Sequence, residues 1–130
     1  MTTIMLLTAD KELVAQVKSA ISGLPVKLTI QADRIKNALE AYRQGPTKIC
    51  LLDLFLPESS GLDALKSLKK VDEALHVIFL SRMRGKILTE KAFRHGAGDI
   101  LQLPISSEAL RQTLLHRLDR LENESMVVFQ

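Results

Sequence analysis

Cysteine is nearly missing from this chain. Cys50 is the single thiol in 130 residues, which excludes a disulfide framework and fits a reducing, cytoplasmic setting. Long apolar runs are also lacking, so no segment reads as a membrane span. The first residues have no basic stretch followed by an extended apolar one, so no secretory signal is read there. An excess of one charge is lacking too. The 18 Lys and Arg nearly balance the 15 Asp and Glu, and the net +3 is spread along the chain. That is an ordinary solvated surface, not a nucleic-acid footprint. Walker-type and dinucleotide-type glycine loops do not occur. His76, His95 and His116 have no metal-ligand spacing with one another or with Cys50, which leaves them surface or interface roles. No order of nucleophile, base and acid makes a hydrolytic triad.

What is present is a regular alternation of apolar patterns. Ile4 to Leu7 make a short apolar strand. Asp10 can cap a helix carrying Leu13, Val14, Val17 and Ile21 on one face, closed by Gly23 and Pro25. Val26, Leu28 and Ile30 alternate as a half-buried strand. Ile35, Ala38, Leu39 and Tyr42 follow at helical spacing, up to Gly45-Pro46. Then come the run Ile49 to Leu52, a helix from Gly61 to about Lys70, and a strand over Val77 to Leu80. A weaker helix covers Leu88 to His95, and Asp99 to Leu103 give a short strand stopped by Pro104. Ser106 or Ser107 caps a last helix carrying Leu110, Leu114, Leu118 and Leu121. Five strands alternating with five helices argue for a doubly wound parallel sheet, an α/β fold with helices on both faces. The length suits one domain, read as residues 1–122. Residues 123–130 read as a tail whose apolar run, Met126 to Phe129, leads into a linker, a partner surface or an output domain.

Asp53 ends the apolar run of the third strand. Asp is a poor strand former and costly to bury unpaired, so its place is expected just past the strand's carboxyl end. Ligands of open α/β sheets bind at that edge. Pro57 fixes the following turn and Gly61 fits the start of the next helix.

With these positions in view, the chain resembles the receiver domain of bacterial two-component response regulators, over roughly Thr3 to Leu121. Asp53, Pro57 and Gly61 match the family's phosphoacceptor aspartate and the turn after it. Ser81 matches the hydroxyl residue that contacts the phosphoryl group, His95 to Asp99 the Gly-Ala-rich turn, and Pro104 the proline before the last helix. The resemblance implies a flavodoxin-like sheet in the order 2-1-3-4-5. It implies a signalling role and no enzyme activity beyond self-phosphorylation and autodephosphorylation at Asp53. It also implies histidine-kinase or effector partners, in transcriptional or other signalling control.

The departures from that family are several. Its two metal-organising acids fall on Thr8 and Ala9, with Asp10 one place further on. Its lysine is Leu103, its aromatic switch residue is Ile100, and the small residue after the hydroxyl is Arg82. Phosphoryl transfer to a carboxylate relies on a metal ion and a cation for charge stabilisation. One lost unit-charge contact forfeits about 4 kcal/mol, or roughly three decades in rate. An atypical receiver is therefore expected, acting as an interaction module without phosphorylation or metal. Mg2+ is expected only if the pocket works. A phosphoacceptor receiver modified on Asp53 is the alternative, and a flavodoxin-like small-molecule binder a remoter one.

Several residues keep two readings. Asp53 is a phosphoacceptor or a turn-capping acid, and Ser81 a phosphoryl contact or a local backbone partner. Asp10 is a helix cap or a metal ligand beside Asp53. Arg82 and Arg84 either pair with Asp53 or stand as solvated loop arginines. The last two helices carry Lys91, Arg94, Arg111, Arg117 and Arg120, candidates for partner recognition or a homodimer. Neither a membrane nor direct nucleic-acid contact is expected of the domain.

Overall fold

The computed structural model describes residues 1–127, with side chains through Leu121. Strands and helices alternate along the chain as β1 (Thr2–Leu7), α1 (Lys11–Ile21), β2 (Val26–Ala32), α2 (Ile35–Gln44) and β3 (Ile49–Asp53). They continue as α3 (Gly61–Val71), β4 (His76–Ser81), α4 (Lys86–Arg94), β5 (Asp99–Gln102) and α5 (Ser107–Val127). All five strands are parallel, in the order β2-β1-β3-β4-β5. The central strands are buried on both faces, which is why they read as unbroken apolar runs.

Two cores follow from that burial. On one face Leu52, Phe79, Leu65 and Leu68 pack under α2, α3 and α4. On the other, Leu6, Leu51, Leu80 and Leu103 pack under α1 and α5, with Leu13, Val17, Leu110 and Leu114. The leucine stripe of α5 is thus core packing over the span from Leu110 to Leu118.

Local chemistry sets the helix starts. Asp10 accepts from the amides of Glu12 and Leu13, Ser60 from Asp63 and Ser106 from Ala109. The fourth helix begins at Lys86, before the first apolar position that marked it. Gly85 turns the chain there at a φ of 141° without a side-chain cap. Asp53 lies inside β3 rather than past it, because the ladder extends through Asp53 opposite Leu80 and on to the Leu54 amide bonded to the Leu80 carbonyl. The tail expected from Asn123 continues α5 as far as Val127. Its side chains, and residues 128–130 with the end of its apolar run, lie outside the described residues.

Candidate functional site

Parallel strands end together, so the sheet brings Thr8, Asp53 and Ser81 to one edge. Leu7 is in register with Leu52, which sets Thr8 beside Asp53. All three are buried: Thr8 is 3% exposed, Asp53 6% and Ser81 2%. Gly61 closes the loop that follows Asp53. A Cβ there would stand 2.5 Å from the Asp53 carbonyl oxygen and 2.6 Å from the Leu54 Cα, so only glycine fits.

Both carboxylate oxygens of Asp53 have donors. The Thr8 hydroxyl donates to Oδ2 at 2.6 Å, and the Phe55 amide donates to Oδ1 at 3.0 Å. Thr8 Oγ1 in turn accepts the Asp10 amide at 3.0 Å. A hydroxyl has one proton, so this arrangement commits it to Asp53. Thr8 was singled out in the sequence for the acid it replaces, and its role as a donor was missed. The register of β1 on β3 is the signal that would have found it.

Asp10 uses its two oxygens differently. Oδ1 caps α1, at 2.9 Å from the Glu12 amide and 3.3 Å from the Leu13 amide. Oδ2 is ion-paired with the Arg82 guanidinium. Burial alone would raise the Asp10 pKa, but the Leu13 amide, Arg82 and the Glu12 amide outweigh it and hold the carboxyl below its usual range. Arg82 therefore meets Asp10 and not Asp53. The reason is position: Asp53 lies inside the sheet with its oxygens engaged, whereas Asp10 is only half-buried. Arg84 is exposed and makes no ion pair among the described residues.

Ser81 is turned toward its own loop. Its hydroxyl donates to the Met83 carbonyl and accepts the Met83 amide, both at 3.0 Å. Leu103 is buried in the core under α1 and α5, and Ile100 packs half-buried against the other core. Neither is a cation or an aromatic ring. Ala9 is exposed and has no side-chain donor. Gln102, which no motif in the sequence marks, donates to the carbonyls of Ser81 at 3.0 Å and Leu103 at 3.1 Å. It clips the ends of β4 and β5 together.

The residues at this edge do not fit a divalent ion. Such an ion takes several oxygen ligands. The two carboxylates here, Asp10 and Asp53, are held by amides, a hydroxyl and an arginine. Among the described residues no group of three or more His, Cys, Asp or Glu is placed to hold a metal.

Other sequence candidates lie elsewhere. His76 and Asp99, at the amino ends of β4 and β5, are 2.7 Å apart, and Arg117 grips Asp99 with two bonds of 2.9 and 2.7 Å. Burial would raise the Asp99 pKa, but Arg117 and His76 outweigh it and lower it. Arg111 donates to the carbonyls of Ala20 at 3.1 Å and Ser22 at 2.5 Å, closing the end of α1. Two of the arginines expected on a partner surface thus hold the fold together, while Lys91, Arg94 and Arg120 stand exposed.

No described helix is long and apolar enough to cross a membrane. The family model for the response regulator receiver domain matches residues 3–115. The luminescence regulatory protein LuxO of Vibrio campbellii is 30% identical over 93 residues, which is 69% of this chain and 20% of LuxO. The chain thus spans about a fifth of that relative's length. The chemotaxis protein CheY of Thermotoga maritima is 26% identical over 97 residues, 75% of this chain and 81% of CheY. In three dimensions the signal receiver domain of a LuxO repressor protein from Vibrio parahaemolyticus superposes with a TM-score of 0.87. It is 23% identical, with 97% of this chain and 96% of that one covered. Element order and sheet topology agree with these matches, and the chain belongs to the response regulator receiver domain family.

Proposed function

We propose that this receiver domain works as a protein-interaction module in two-component signalling, without phosphorylation of Asp53 and without a bound divalent ion. The observation that carries this reading is the Thr8 hydroxyl on Asp53 Oδ2 at 2.6 Å. Phosphoryl transfer gathers negative charge at one carboxylate, and catalysis consists of positioning and countercharge. Here Asp53 is satisfied by two neutral donors, and Arg82 is neutralised by Asp10. The losses are also mutually consistent. A lysine at position 103 would be a cation buried in the core under α1 and α5, and an extra acid at position 8 would be a second buried anion beside Asp53. Leucine and threonine avoid both costs.

The partner is an effector domain, or a second copy, met through the last two helices in the cytoplasm. Lys91, Arg94 and Arg120 are exposed there and make no ion pair among the described residues. The second reading, a receiver phosphorylated on Asp53 by a histidine kinase, is favoured by Asp53 and Ser81 both standing at the sheet edge. Acetyl phosphate with magnesium, followed by intact mass, separates the two. The interaction-module reading expects no phosphoryl adduct. An adduct that disappears in Asp53→Asn supports the second reading and removes the first.

A further inference from the structure

The loop from β4 to α4 and the first turn of α4 present apolar side chains that none of the described residues covers. Met83 is 53% exposed and Ile87 71%. With Leu62 of α3 and Leu88 they wall a groove of about 530 Å³. Single exposed apolar residues are ordinary, but several around one concavity mark an interaction site. The groove's charge has one sign. Arg84, Lys86 and Lys91 also line it, and no acid does. Lys86 has only the exposed Glu90, at 3.8 Å, and Arg84 and Lys91 make no ion pair among the described residues. Gly85 lies on the groove as well. α4 starts there without a side-chain cap, so the positive end of its dipole adds to the three cations.

We propose that this groove docks an acidic amphipathic helix of a protein partner. Its apolar side chains would enter among Leu62, Met83, Ile87 and Leu88, and its carboxylates would meet Arg84, Lys86 and Lys91. Helices dock in apolar grooves through anchors about one turn apart. Charge argues against the other occupants. A second copy meeting this groove about a two-fold axis would set the three cations against their own images. An anionic bilayer matches the charge but presents a flat surface to a concave site. The proposal deepens the interaction-module reading, on which it rests, by naming a surface between α3 and α4.

The test follows amide shifts of the isotope-labelled chain, with no magnesium or phosphoryl analogue present. The probes are a helical peptide with leucine on one face and glutamate on the other, the same peptide with lysine for glutamate, and phosphatidylserine vesicles. The glutamate peptide is expected to shift Leu62, Met83, Ile87 and Leu88, the lysine peptide to leave them unmoved, and salt to weaken the effect. Ile87→Glu, at a residue 71% exposed, is expected to keep the fold and to weaken binding at least about tenfold. No shift at these amides, an equal response to the lysine peptide, shifts mapping to α5, or binding of vesicles alone would each overturn the groove. Such a failure leaves the acetyl phosphate result standing, so the two readings fail separately.

Discussion

Thr8 has a single hydroxyl proton, and the Asp10 amide on its oxygen leaves Asp53 to receive it. Thr8→Val removes that donor while keeping the shape, so a buried carboxylate loses one of its two bonds. The expected cost is about 1–3 kcal/mol in urea unfolding, with Thr8→Ser staying within about 1 kcal/mol of the parent. Equal stability of the two variants would mean that the hydroxyl does not hold Asp53. Asp10 has two tasks, and Asp10→Ala ends both. Loss of the cap is expected to cost about 1 kcal/mol. The exposed pair with Arg82 adds little to that, so Arg82→Gln alone should change stability by less than about 1 kcal/mol. At this scale the sequence showed which residue types occupy the site. It did not show their pairings, because Thr8 and Asp53 are 45 residues apart and Arg82 and Asp10 are 72 apart. Strand register makes the first pairing, and the β4 loop folding over the start of α1 makes the second.

Elements that carry their own punctuation could be read directly. Asp10, Gly61 and Ser106 each announce a helix, and the unbroken runs of β3 and β4 announce buried strands. α4 was less legible because Gly85 starts it without a cap. The inward bonds of Arg111 and Arg117 on α5 were not legible, since an arginine on a helix looks the same in sequence whether it meets solvent, a carboxylate or a carbonyl. Arg111→Ala is expected to destabilise the chain by roughly 1–3 kcal/mol, by freeing the carbonyls of Ala20 and Ser22. The Asp99 cluster gives α5 a pH signature. The Asp99 pKa is lower in the folded chain than in the unfolded one, so its contribution is present above the unfolded value and is lost as pH falls through the folded one. Asp99→Asn is therefore expected to lower stability at neutral pH and to flatten its fall on the acid side. Parallel acid limbs for parent and variant, in denaturant melts at falling pH, would contradict the assignment.

The whole molecule decides which side chains meet. A parallel sheet in the order β2-β1-β3-β4-β5 puts the carboxyl ends of β1, β3 and β4 side by side, and that adjacency brings Thr8, Asp53 and Ser81 to one edge. The same sheet sends the His76, Asp99 and Arg117 cluster to the opposite edge, where it fastens α5 without touching the site. The proposed function requires that Asp53 accept no acyl phosphate. Beryllofluoride with magnesium mimics that phosphate on a competent receiver, so amide shifts on adding both to the labelled chain report whether the pocket can hold it. The amides around Asp53 and Ser81 are expected to stay in place at high millimolar magnesium. Saturable shifts clustered on those two residues would contradict the proposed function.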